Sequence, residues 1–322
     1  MKCVLGVDTS CYTTSVAAVG MEGDILASCR NPLDVPGRAR GLRQSRAGFF
    51  HVCALPDLMR RLRERLPGME LCALCASTRP RDAEGSYMPV FRVGESQARA
   101  LAAISGLPFF ATDHQAGHLR AALSDAPWPI DTECLALHLS GGTTELLHKS
   151  GGTIRRLGGS ADISAGQLVD RIGVALGLPF PCGPGLESLA SRGRAGQRLS
   201  ASLREEGPGW IACHLSGAEA QASRWIGEGE PPENVAAEIY ALLARILRRF
   251  IVAGIERTGA RRVLLAGGVA SSALLRSLLE ERLRRRGPEI ALHFARPELA
   301  SDNAVGVALI GLDRWREARE SE

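Results

Sequence analysis

The sequence has 322 residues, 45% hydrophobic and 23% charged, the balance of a chain with a large buried core and room for two domains. Its formal net charge of +4 permits contact with nucleic acid without requiring it, and no apolar run reaches the ~20 residues of a membrane span. Nine cysteines, odd in number and scattered, fit reduced thiols better than a disulfide framework. The first residues enter a strand-like run without a leader pattern, so the expected compartment is the cytoplasm.

In chain order, residues 2–8 read as a strand, 9–13 as a turn, 15–20 as a second strand, 22–24 as a turn and 25–29 as a third strand. The stretch 30–46 has Pro, Gly and Arg but little periodicity and reads as a loop. Helical spacing follows over 49–66, with Pro56 as a point of break or restart. Residues 71–76 form a short apolar strand, so Cys72 and Cys75 are expected as buried thiols rather than a zinc or redox pair. Then come an irregular stretch 78–91, a helix 95–104, a strand 109–111 and a helix 114–123 with Asp113 as its N-cap.

A second copy of the opening begins at 134–139, with a turn at 140–143, strand 144–149, turn 150–152 and strand 153–157. GVDTSCYTTSVAAV and LHLSGGTTELLH are both strand, small-residue turn, strand. The echo predicts two similar lobes around a cleft. Helices are expected over 164–176, 232–258 and 271–285, strands over 262–265 and 289–294, and a closing helix over 302–317. The polar, Gly- and Ser-rich stretch 193–230 reads as a helical insertion with flexible joints. The expected lobes are 1–131, with the closing helix 302–318 packed on it, and 132–301. Arginine is dense at 60–65, 245–249 and 282–286. All three runs fall on amphipathic helices, where solvated faces are expected ahead of a phosphate-tracking surface.

His114 and His118 stand four apart, on one face of a helix and within reach of one metal ion; two solvent histidines are the competing reading. No Glu follows His114, so the His-Glu-x-x-His motif is absent. The Gly-rich turn Ser140-Gly141-Gly142-Thr143 and its counterpart Asp8-Thr9-Ser10 offer backbone N–H groups and hydroxyls to phosphates, or are plain hairpins. Gly267-Gly268 runs from a strand into a helix and lets a ligand approach bare backbone, the alternative being an ordinary α/β turn. Gly183 lies in the rigid loop Pro181-Cys182-Gly183-Pro184-Gly185. Asp302, at the start of the closing helix, is either a third metal ligand or a cap, and Asp170 is a cleft carboxylate or a surface ion-pair partner.

In order and spacing, GVDTSC, HQAGH, LHLSGGTTEL, ADISAGQLVDRIGVALGLPFPCGP, LAGGVASSALL and ARPELASDNAVGVALIG resemble the tRNA threonylcarbamoyladenosine transferases, formerly described as glycoproteases. The resemblance implies a two-lobed α/β fold of the actin/Hsp70/sugar-kinase ATPase type, a duplicated ribonuclease-H-like architecture. It implies one divalent metal, iron or zinc, on His114, His118 and Asp302, and ATP or an acyl-adenylate against Ser140, Gly141, Gly142, Asp170, Gly183, Gly267, Gly268 and Ser272. It further implies transfer of a threonylcarbamoyl group to adenosine in tRNA, with family partner subunits and no membrane. Asp8 and Ser10 are the catalytic candidates of the first turn.

The sequence departs from the family at several positions. Tyr12-Thr13-Thr14 replaces Asp-Glu-Thr, Thr143 replaces a histidine, Ala116 an acidic residue and Ser272 an asparagine. A loop running from Ser77-Thr78-Arg79-Pro80-Arg81 to Tyr87-Met88-Pro89 replaces one rich in Gly and Pro. Two functions therefore stand side by side: a transferase with altered substrate loops, and a nucleotide- and metal-binding partner that transfers nothing. A metalloprotease, suggested by the older family name, ranks last because no water-activating base follows His114.

Overall fold

The structure, a computed structural model, describes residues 1–10, 12–33, 43–196, 198–286 and 289–320. Cys11 of the first turn and residues 34–42 of the expected loop lie outside them. The chain divides into two compact units, Met1–Asp125 with Ser301–Glu322, and Ala126–Ala300.

The first unit opens with β1 (Lys2–Ser10), β2 (Thr13–Gly20) and β3 (Ile25–Pro32), an antiparallel meander. These strands outrun their predicted ends, because cross-strand pairing carries β1 through Ser10, which faces Thr13. Next come α1 (Gln44–Arg65), β4 (Glu70–Ser77), α2 (Phe91–Ser105), β5 (Phe109–Thr112) and α3 (His114–Ser124). Pro56 does not break α1. It sits on the exposed side, where water serves the carbonyl that a missing N–H leaves, while buried Leu55, Leu58 and Leu62 hold the helix down. The strand order is β3-β2-β1-β4-β5, with β4 parallel to both β1 and β5.

The second unit repeats that plan with β6 (Cys134–Leu139), β7 (Thr144–Ser150) and β8 (Thr153–Ser160), again an antiparallel meander. α4 (Ala165–Ala175) follows behind a full capping box on Ser164 and Gln167, then α5 (Gly183–Ala190). The stretch expected as a helical insertion instead pairs β9 (Ser202–Glu205) with β10 (Ile211–His214) before α6 (Ser216–Gly227). Its joint is fixed: Asp162 accepts hydrogen bonds from the N–H groups of Leu215 (2.9 Å) and Ser216 (3.0 Å), at the start of α6. α7 (Pro232–Thr258), β11 (Arg262–Ala266), α8 (Ala273–Arg286), β12 (Ala291–Phe294) and α9 (Pro297–Ala300) complete it. A short 3-10 turn at Gly268–Ser271 delays α8 by two residues relative to the predicted start. The sheet order β12-β11-β6-β7-β8-β10-β9 holds the same five-strand order as the first unit, extended by two strands. A core of Leu, Ile, Val and Ala from its strands and from α4, α7 and α8 fills this unit.

The chain then returns to the first unit as α10 (Val305–Glu320), packed on β1, β4 and α3. Glycines permit the approach. A Cβ on Gly6 of β1 would stand 2.5 Å from the Ala304 carbonyl, and one on Gly306 would stand 1.8 Å from the carbonyl of Gly117 in α3. The face of the first sheet opposite α1 and α2 thus carries α10, and α10 crosses α3 almost backbone to backbone.

Candidate functional site

That crossing determines where three side chains end. His114 and His118 lie one turn apart on α3, whose N-terminus is capped by Asp113 accepting from the Ala116 N–H at 2.9 Å. Asp302 does not begin the closing helix, as its sequence position suggested. It precedes α10, and Asn303 takes the cap by accepting from the Val305 N–H at 2.9 Å. The Asp302 carboxylate is left to point at the histidines.

His118 Nε2 stands 3.1 Å from His114 Nε2 and 3.2 Å from Asp302 Oδ1, and His114 Nε2 stands 3.7 Å from Asp302 Oδ1. Donors on a tetrahedral ion with bonds of about 2.0–2.1 Å are separated by about 3.3 Å. The three spacings bracket that value, so the donor set fits a divalent ion. Two imidazoles with one carboxylate suit zinc or iron rather than calcium or magnesium.

Asp8 and Ser10 stand behind these donors. Asp8 is fully buried, and both its oxygens lie 3.1 Å from His114 Nδ1. Ser77 Oγ donates to Asp8 Oδ1. A carboxylate accepting from Nδ1–H leaves the Nε2 lone pair free for a metal. Ser10 Oγ donates to Asp302 Oδ2 at 3.1 Å, leaving Oδ1 toward the imidazoles. The charges follow the geometry. Burial alone would lower the pKa of His114, but the Asp8 carboxylate, with Asp302 and Asp113, raises it to about 9. Burial opposes ionisation of Asp302, yet the His118 hydrogen bond and both imidazoles hold it well below the usual carboxylate range. The pocket therefore attracts positive charge.

The Gly-rich positions gather in the second unit. Ser140 closes its turn through N–H to the Thr143 carbonyl (2.8 Å) and Oγ from the Thr143 N–H (3.1 Å). The first turn of α4 presses on it: a Cβ on Gly166 would stand 2.5 Å from the Ser140 carbonyl, and Ser164 Oγ donates to the Gly141 carbonyl at 2.8 Å. Gly267, at φ 98°, rests on the end of β6, where a Cβ would stand 2.3 Å from the Leu139 carbonyl. Asp170 accepts from the Cys182 N–H at 2.9 Å and so fixes the loop ahead of Gly183; burial raises its pKa. Around Gly141, Gly142, Gly183 and Gly268 the space a Cβ would enter is empty, so bare backbone faces open room.

Two residues that no sequence pattern marks tie this set together. Tyr240, buried in α7, donates to the Gly183 carbonyl at 3.2 Å and hydrogen-bonds Ser272, which caps α8 through the Leu275 N–H at 3.1 Å. Glu187 accepts from the Leu274 N–H at 2.7 Å, joining α5 to the start of α8. His51, also unmarked, is buried with Nδ1 2.8 Å from Thr14 Oγ1, and burial lowers its pKa.

Comparison with known proteins places the chain in a family. Residues 67–309 match the family model described as tRNA N6-adenosine threonylcarbamoyltransferase. Proteins of that name from Corynebacterium aurimucosum and Geobacillus kaustophilus are each 29% identical, over 98% and 99% of this chain and 93% of their own length. Among solved structures, an activator of 2-hydroxyisocaproyl-CoA dehydratase from Clostridium difficile with bound ADPNP superposes at TM-score 0.55, with 13% identity over 99% of this chain and 98% of that one. A ROK family glucokinase from Streptomyces griseus in complex with glucose and AMPPNP gives 0.55, with 16% identity over 97% and 99%. The fold is the actin/Hsp70/sugar-kinase type of ATPase fold, as expected from the sequence.

Proposed function

This chain belongs to the tRNA N6-adenosine threonylcarbamoyltransferase family, and from that premise we propose that it moves a threonylcarbamoyl-type group from an adenylate to an adenosine amine in tRNA, with a metal on His114, His118 and Asp302. The observation that carries the reading is the convergence of these three donors, with Asp8 and Ser10 braced behind them. An ion held on His114, His118 and Asp302 would supply Lewis-acid chemistry.

The side chains around it have separate tasks. Asp8 fixes the tautomer and ring angle of His114, and Ser77 holds Asp8 in turn. Ser10 fixes the rotamer of Asp302. Asp8 and Ser10 are thus positioning residues acting through the ligands, not groups that touch substrate. In the second unit, the turns at Gly141-Gly142 and Gly267-Gly268 offer backbone N–H groups to the adenylate, and Asp170 and Tyr240 hold the Gly183 loop. In the transfer the amine nitrogen bonds to the acyl carbon as the bond from that carbon to the adenylate oxygen breaks; the electron pair leaves with AMP, and the proton lost by the amine passes to solvent.

Metal analysis of the purified chain, with adenine-nucleotide binding to wild type and His114→Ala, tests the site. Wild type carrying about one ion per chain and the variant little supports it; equal metal contents remove the assignment. Nucleoside analysis of tRNA from a deletion strain tests the acceptor, and an unchanged modification profile overturns tRNA as substrate.

Thr13 and Thr143, where the resemblance leads one to expect Glu and His, favour a second reading: a partner subunit that binds metal and nucleotide without transferring. Under that reading the purified chain binds both but forms no product from donor and tRNA until a second family member is added.

A further inference from the structure

Asp8 and Ser10 brace the metal donors, and the hairpin that carries them is itself anchored. They are alternate residues of β1, so both side chains leave the sheet on the face that carries α10. Thr9, between them, points to the opposite face, toward α1 and α2. So does Thr14, its partner directly across the β1–β2 hairpin. Both threonines are fully buried. Thr9 Oγ1 donates to the Val90 carbonyl at 2.9 Å and accepts from the Gly94 N–H at 3.2 Å, which ties the hairpin to the start of α2. Thr14 Oγ1 lies 2.8 Å from His51 Nδ1, which ties it to α1.

His51 stands where an apolar residue is expected. It is fully buried, in the stretch of α1 that also buries Ala47, Leu55 and Leu58. Its Nε2 is shut off from solvent and makes no well-formed hydrogen bond among the described residues. Burial lowers its pKa against the opposing pull of Asp8 and of the Ser10 backbone, so the ring is neutral at neutral pH. A buried imidazole bonded through one nitrogen only costs stability relative to an apolar side chain of similar size. The bond to Thr14 is the one thing that such a side chain could not supply.

We propose that His51 is a positioning residue for the metal donors. It fixes Thr14, whose cross-strand partner Thr9 lies between Asp8 and Ser10, so a shift of Thr14 carries both braces with it. On the far face the result is Asp8 held against His114 and Ser10 against Asp302. The inference rests on the metal reading of His114, His118 and Asp302.

The test compares wild type with His51→Phe, Thr14→Val, the two combined, and His51→Asn. Each single apolar variant is expected to weaken metal affinity about tenfold in a competitive chelator titration, the low end for groups that support ligands. The combined variant should lose no more than either alone, because both changes remove one bond. His51→Asn, whose amide can bond Thr14 in place of Nδ1, should recover most of the affinity. Cobalt(II) bound to the triad should show shifted visible absorption bands in the apolar variants and the wild-type spectrum in His51→Asn. Without metal, the apolar variants should melt at or above the wild-type temperature, and Thr14→Val carries the comparison if His51→Phe does not fold. Affinity losses that follow a lowered metal-free Tm, and that His51→Asn does not recover, overturn the proposal and make His51 a packing residue. Variants that bind metal like wild type overturn it while leaving the metal reading in place. A wild type that takes up no metal removes both.

Discussion

His114 uses both ring nitrogens, one toward Asp8 and one toward the other two donors, so a change at Asp8 reaches the ligands without touching them. Asp8→Asn keeps the shape and removes the charge. It should weaken metal affinity about 10–100-fold in a competitive chelator titration while the chain stays folded. Ser77→Ala, one bond further out, should cost less. An Asp8→Asn protein that binds metal like wild type removes Asp8 from the ligand support. At this scale the sequence was half legible. The four-residue spacing of His114 and His118 marks one helical face, and the motif order supplies Asp302. Yet at a helix start capping is the ordinary duty of an aspartate, and only the structure shows Asn303 taking that duty. Ser77 and Tyr240 carried no local signal, because their partners lie 69 and 57 residues away in sequence.

At the scale of elements, the crossing of α3 and α10 is the most sensitive contact. Gly306→Ala places a methyl group against the Gly117 carbonyl and the Ala121 N–H. The helices must separate, at a cost of about 1–3 kcal/mol. The lowered Tm should come with lost metal, since the same contact sets Asp302 against His118. A variant that is destabilised but binds metal normally would separate the crossing from the site. α6 gives the pH-dependent case. Burial works against ionisation of Asp162, but the Ser216 hydroxyl and the N–H groups of Leu215, Ser216 and Ile163 lower its pKa below 3.8. Its stabilisation is therefore present above that value and lost as pH falls through the folded-state value. Asp162→Ala should cost about 1 kcal/mol at neutral pH, as capping carboxylates do. In urea unfolding the difference from wild type should shrink as the solution is taken below pH 3.8. Periodicity found these elements well, missing mainly where tertiary pairing extends a strand or where a proline faces water. It failed at β9 and β10, two four-residue strands that exist only by pairing with each other and with β8.

For the whole molecule, the repeated opening was the most informative pattern in the sequence. It predicted two sheets of one plan, and both units carry the same five-strand order. Hydrophobic pattern and glycine turns repeat when a fold is duplicated, so this level was legible without any partner residue being known. The course of the chain between units gives a further prediction. Deleting residues from 301 onward removes α10 from the first sheet and exposes buried residues such as Gly6 and Cys75, which face it. The first unit should then lose cooperative unfolding, while the second, which holds its own core, retains protected amides in hydrogen exchange. Equal protection in both units would show that α10 is dispensable.

The divided first unit also sets a schedule. His114 and His118 are translated before the second unit and Asp302 after it. A growing polypeptide cannot bring the three donors together until the second unit has been synthesised. Any ion the triad takes up is therefore acquired after synthesis is nearly complete. A chain released before that point has His114 and His118 but lacks Asp302, so it cannot assemble the three-donor set.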